Sequence, residues 1–344
     1  MQFGGEDQEP LFNFISKLGH IVKNLSLNLS LDSWNGDGWS RAETEDFNTR
    51  VLGHCSTLRR LAIFHESVDK SNPQLLLDNM RNLSSLEEIQ IIEEGELAFS
   101  VDIPASDAPN YLAHRLLDVV LDACASHLRT IILLGVTPLS IATFEKIQHK
   151  TPKLNRLDMT RGLEVHHHES LATPIAWACA ANLQHVSLTR CRGAHAAIFT
   201  RQLAAGAIGH LRTLHMSMCG EISDEETMPV ATKWTIPALE VLELDDFEWK
   251  TGHFFIIHAR KVFLEGVWRL DRTHARALIA AMTDTATFPG AIELHVTYVW
   301  SHQDLNDLRV ACFTRDIKIV ERDWEFEQTE EYSPSLVLPL NLYP

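Results

Sequence analysis

Seven copies of the string L-x-x-Φ-x-Φ, with Φ an aliphatic residue, recur along this chain at nearly constant spacing. They are Leu58-Leu61-Ile63, Leu86-Ile89-Ile91, Leu128-Ile131-Leu133 and Leu154-Leu157-Met159, then Leu183-Val186-Leu188, Leu211-Leu214-Met216 and Leu239-Leu242-Leu244. The central positions 61, 89, 131, 157, 186, 214 and 242 are separated by 28, 42, 26, 29, 28 and 28 residues. Chance would supply about three such strings and no period. The two residues after each first Leu are mostly polar, as in Arg59-Arg60, Glu87-Glu88, Asn155-Arg156 and Arg212-Thr213. A random apolar run would not keep that gap wet.

A strand alternates its side chains, so Leu214 and Met216 point one way together and the first Leu packs beneath them at the turn. Helical spacing of apolar residues fills the intervals, over residues 74–80, 111–126, 141–149, 173–181, 194–205, 273–281 and 302–311. One strand and one helix cannot bury their apolar faces alone, whereas stacked units share a continuous core. That matters for 344 residues, because single unrepeated cores stop growing near roughly 250–300 residues. Weaker copies, Val22-Leu25-Leu27, Ala259-Val262-Leu264, Ala291-Leu294-Val296 and a degraded Ile317-Ile319, bring the expected total to about eleven strands. The expected architecture is an α/β solenoid with a parallel concave sheet and helices on the convex side. Residues 1–20 read as a capping segment, with Phe12, Ile15 and Leu18 on a short helix, and residues 21–320 as the repeat domain. Residues 321–344, acidic around Trp324 and Phe326 and then apolar and Pro-rich, read as a cap or a tail bearing a short motif. Two excursions, residues 32–47 with Asn35-Gly36-Asp37-Gly38 and residues 93–110 with Pro104 and Pro109, read as loops.

Two neighbouring units extend the string by a Cys three residues on, in Val186-Ser187-Leu188-Thr189-Arg190-Cys191 and Leu214-His215-Met216-Ser217-Met218-Cys219. The repeat therefore resembles the cysteine-containing class of leucine-rich repeats. That class is typical of the F-box leucine-rich-repeat proteins, the substrate receptors of cullin-RING ubiquitin ligases. The divergent repeats and long insertions are most similar to the fungal branch of that family. The resemblance implies a leucine-rich-repeat horseshoe that recognises a protein substrate. Family members carry a three-helix F-box before the repeats, opening with a Leu-Pro-x-Glu-like stretch. No such stretch precedes Val22, so ubiquitin-ligase components are expected as partners only if an F-box is supplied elsewhere. The other reading is a free-standing interaction scaffold.

The net charge of −16 repels a phosphate backbone, and no run of Lys and Arg offsets it, so nucleic acid is not an expected partner. The longest apolar stretch, residues 131–144, is broken by Gly135 and Pro138 and too short for a bilayer, so no membrane span is expected. Six scattered cysteines with no C-x-x-C read as reduced thiols, and the acidic start lacks signal-peptide features; a cytoplasmic or nuclear location is expected.

No nucleophile elbow, phosphate loop or nucleotide fingerprint occurs, so neither enzymatic activity nor a cofactor is expected. His166-His167-His168-Glu169 is the one local cluster with ligand chemistry. His166, His168 and Glu164 would make a three-ligand zinc set on a strand, but a solvated loop is the competing reading and no metal site is expected. Cys191 and Cys219 fall one repeat apart and read as a reduced ladder. Trp34 and Trp39 sit in a polar loop, either as anchors for a partner or packed on the N-terminal cap. The residues flanking the core pairs should line the concave face: Arg156 and Asp158, His185 and Ser187, then Thr213, His215 and Ser217. Glu243, Asp245, Lys261 and Glu265 continue it. This mixed polar ribbon suits a protein or peptide ligand.

Overall fold

In a computed structural model of the chain, the central residues of successive triplets stand side by side. Leu25 lies beside Leu61, Leu61 beside Ile89, Ile89 beside Ile131 and Ile131 beside Leu157. The line runs on through Val186, Leu214, Leu242 and Val262 to Leu294 and Ile319. The structure describes residues 8–29, 48–66, 73–94, 111–135, 146–147, 149–160, 183–189, 210–217, 239–245, 258–265, 272–285, 287–297 and 301–322.

The strands are β1 (Asn24–Asn28), β2 (Arg60–Glu66), β3 (Glu88–Glu94), β4 (Thr130–Leu134), β5 (Arg156–Thr160) and β6 (His185–Thr189). They continue as β7 (Thr213–Ser217), β8 (Leu239–Asp245), β9 (Ala259–Glu265), β10 (Glu293–Thr297) and β11 (Lys318–Arg322). All eleven form one parallel sheet whose spatial order equals their order in sequence. Such a sheet, with every connection returning in the same sense and every strand next to its predecessor, is the leucine-rich-repeat arrangement.

Register has two physical sources. The inward residues Leu61, Ile63, Ile89, Ile91, Leu157, Met159 and Leu214 are all buried in one continuous core. Each fully buried Leu or Ile contributes about 2 kcal/mol over leaving it exposed, and a slip by one residue would turn them all outward. The second source is a backbone ladder just ahead of the strands. The Lys23 carbonyl accepts from the amides of both Arg59 and Arg60, and the Arg59 carbonyl from those of Glu87 and Glu88. The same pair of hydrogen bonds recurs from residues 129 and 130 to the Glu87 carbonyl, and onward in steps to the Arg212 carbonyl, which accepts from the amides of Glu240 and Val241. The polar gap after each first Leu is therefore where the chain pins itself to the preceding repeat while its side chains stay in water.

The helices close the core on the other side. Among the described residues they include α1 (Gln8–Leu18), α2 (Gln74–Met80), α3 (Leu112–Cys124), α4 (Arg272–Met282) and α5 (His302–Phe313). In α3, Leu116, Leu117, Val120, Leu121 and Cys124 are buried at the three-to-four spacing the sequence carries. Ser301 caps α5 by accepting from the Asp304 amide at 3.1 Å. The Arg315 guanidinium donates to the carbonyls of Met282 and Thr287, tying the end of α4 to the next repeat. At the other end Phe12 of α1 meets His54 edge-on at 5.4 Å and carries the Arg50 guanidinium over its ring.

Some expected boundaries move. The helix expected over residues 111–126 starts after Tyr111, which takes an extended backbone as N-cap, and gives way to a turn at residues 125–127. That turn lets Leu128 drop into the core. The excursion expected from residue 93 begins later, because Glu93 and Glu94 belong to β3 and pair with His65 and Glu66. β2 and β3 are both seven residues long, so their ladder outlasts the apolar triplet. The helices expected over residues 173–181 and 194–205, and the loop over residues 32–47, lie outside the described residues.

Candidate functional site

One face of the sheet packs on the core and helices; the other is the open face. Strand parity puts Arg156, Asp158, His185, Ser187, Thr213, His215, Ser217, Glu243 and Lys261 on the open face, between the inward residues, with Ser217 itself buried there. Asp245 and Glu265 take the same parity and pair in register, though only their strand positions are described. Trp34, Trp39, His166, His168, Cys191 and Cys219 lie outside the described residues.

Parallel register turns the face into rows that cross the strands. Neighbouring strands stand roughly 4.8 Å apart, so residues 28 apart in the chain become side-chain neighbours. His185 Nδ1 lies 2.8 Å from the Thr213 hydroxyl, and the Ser187 hydroxyl 3.2 Å from His215 Nδ1. On β5 the Arg156 guanidinium donates twice to one Asp158 carboxylate oxygen, at 2.9 and 2.6 Å, which holds its charged form. Burial of the His185 ring, with the nearby Arg156 cation second, pushes its pKa below the ordinary value. On β10 the Glu293 carboxylate is held below its ordinary value by hydrogen bonds from Lys261 and His295.

The row Asp158, Ser187, His215, Glu243 places a hydroxyl, an imidazole and a carboxylate on adjacent strands. The likeness to a nucleophile, base and acid ends there. His215 Nε2 is buried without a hydrogen-bond partner, so Glu243 does not orient the ring. The strand amides around Ser187 are engaged in the parallel ladder, which leaves no donor pair for a developing oxyanion. Among the described residues no group of three or more His, Cys, Asp or Glu is placed to hold a metal ion. What the face offers is fixed donors and acceptors in a regular lattice.

Two parts of the face were not singled out from the sequence. Toward β2–β4 it turns apolar: Ala62, Ile92 and Ile132 are buried although they point away from the core, with Phe64 and Leu134 half-buried beside them. The signal was present in EIQIIEE and TIILL, where both parities carry aliphatic residues, the mark of a strand covered on both sides. Toward β9–β10, Phe263 stacks on His295 with ring centroids 4.0 Å apart and 16° between planes. Both occupy the position between the two Φ residues of their repeat, so the same offset that selects His215 would have found them.

No family model matches the sequence, and no curated protein sequence matches it. Among solved structures the chain is similar to the leucine-rich repeat-containing protein LegL7 from Legionella pneumophila. The identity is 13% and the TM-score 0.45, over 88% of this chain and 91% of that one.

Proposed function

We propose that this leucine-rich-repeat chain is a non-enzymatic binding module that holds a protein or peptide on the open face of its sheet. The observation that carries the reading is the set of in-register rows, in which hydroxyls, imidazoles and carboxylates from β5–β9 are pre-positioned by the core beneath them. Such a face costs little to order on binding, because the backbone is already fixed.

The finer reading follows the sequence resemblance: the module acts as the substrate-recognition part of an F-box-type ubiquitin-ligase receptor, in the cytoplasm or nucleus. Residues 1–20 would then cap the first repeat and residues 321–344 cap or trail the last. The alternative is a free-standing scaffold with no link to ubiquitin.

Affinity capture from the native cell tests both levels. The wild-type chain is compared with Ser187→Trp/His215→Arg, which crowds the middle rows, and with Arg276→Glu on the helix side. Partners that bind the wild type and Arg276→Glu but not the crowded face support the reading. An unchanged partner set on the crowded face overturns it. Skp adaptor and cullin among the face-dependent partners favour the ligase reading; their absence favours the scaffold.

A further inference from the structure

The chain is strongly acidic, with a net charge of −16, yet the residues leading into its strands are not. The ladder of carbonyls ahead of the sheet and the first outward residue of each strand make two adjacent rows along the strand starts. The described acids in these rows are each answered by a cation: Glu87 by Arg59, Glu88 by Arg60, Glu240 by Arg212 and Glu293 by Lys261. Arg156 is answered from the next row by Asp158. Four further cations, Lys23, Arg129, Arg260 and Lys318, are exposed and form no salt bridge among the described residues. The rim is therefore basic in excess.

The excess leaves a mark on its neighbours. Arg156 and Arg212 both help depress the His185 pKa, and Lys318 joins Lys261 in depressing that of Glu293. The far ends of the strands are the opposite. Glu66, Glu94, Asp245 and Glu265 stand there by register, with Glu243 one row before them. The basic strip is thus long and narrow. Across eleven strands the rows of net positive charge run for roughly 48 Å at about 4.8 Å per strand, and they are about two residues, roughly 7 Å, wide before the rows that hold Asp158 and Glu243 and then Glu66, Glu94, Asp245 and Glu265.

We infer that the rim at the strand starts is a docking strip for an acidic, extended protein segment laid across the strands. One chain fits its width. A nucleic-acid duplex, whose major groove alone is about 12 Å wide, would set its second strand against the acidic rows. The inference goes beyond the open-face reading, because it uses the rim and not the middle rows.

A fluorescein-labelled deca-glutamate peptide is the probe, read by fluorescence anisotropy on the full chain, with a deca-glutamine peptide and a duplex DNA of similar charge as comparisons. The wild type should bind the glutamate peptide, more weakly as salt rises, and the glutamine peptide not at all. Arg129→Glu and Arg260→Glu should each weaken binding about fivefold or more, while Arg276→Glu, the same charge change on the helix side, should shift it less than about twofold. Ser187→Trp/His215→Arg should also stay within about twofold, so failure of the open-face reading and failure of the rim are separable. Rim reversals no more damaging than Arg276→Glu would overturn the inference, as would tighter binding of the duplex than of the glutamate peptide.

Discussion

Gly135 stands against the backbone of Glu93: a Cβ on Gly135 would come within 2.8 Å of the Glu93 carbonyl oxygen. Gly135 follows β4 directly and has φ +72°, a left-handed conformation that only glycine adopts without strain. Gly135→Ala therefore meets two penalties, a backbone clash and an unfavourable φ. The expected loss is about 1–3 kcal/mol, read as a lower urea midpoint. A midpoint equal to wild type would show that the chain relaxes there at no cost.

Leu242 and Val241 are consecutive residues on opposite faces. Leu242 is fully buried between Leu214 and Val262, whereas Val241 is only partly buried on the open face. Leu242→Ala should cost about 2–5 kcal/mol and Val241→Ala less than about 1. Comparable losses at the two sites would contradict the parity on which the open face rests.

The His185 ring is expected to make stability fall on mild acidification. Its folded pKa lies below the ordinary 6.5 through burial first, then the Arg156 and Arg212 cations, with Asp158 and Glu240 opposing. In the window between the folded value and 6.5 the unfolded chain holds more protons than the folded one. The contribution is thus fully present above the unfolded value and is lost as the pH drops through that window. Urea midpoints at about pH 7.5 and about pH 5.5 should differ less for His185→Gln than for wild type. Equal differences would remove His185 from the linkage.

Buried thiols should be silent in the folded protein. Burial pushes the pKa of Cys55 to about 11, of Cys124 to about 12 and of Cys312 to about 11. The Cys55 and Cys124 thiols also donate to the carbonyls of Val51 and Val120, each four residues back in the chain. Since the thiolate is the reactive form, N-ethylmaleimide should label these three only after denaturation. Peptide mapping that finds Cys124 modified in the native state would show that α3 opens or is less buried than described.

Much of the fold is legible in the sequence. The weak string at Val22-Leu25-Leu27 and the degraded Ile317-Ile319 both became strands in register with their neighbours. The helix read over residues 74–80 keeps its bounds. The open-face parity of Arg156 through Lys261 follows from the same alternation. Legibility failed where a property belongs to two repeats at once. The Ser187–His215 contact joins residues 28 apart in the chain, and no local pattern says that a Ser and a His at that distance share a row. The basic rim was hidden for the same reason, since no repeat supplies more than two of its cations, several supply none, and no run of them forms in the sequence.

Sequence alone therefore determined the strands, their number and their inward faces. Each of these depends on a local alternation of apolar and polar residues backed by about 2 kcal/mol per buried aliphatic side chain. Tertiary structure alone decided which polar groups meet across strands. Exposed ion pairs such as Arg59–Glu87 and Arg212–Glu240 contribute at most about 1 kcal/mol each, too little to choose a register. They inherit the one the core imposes, and the charge of the rim with it.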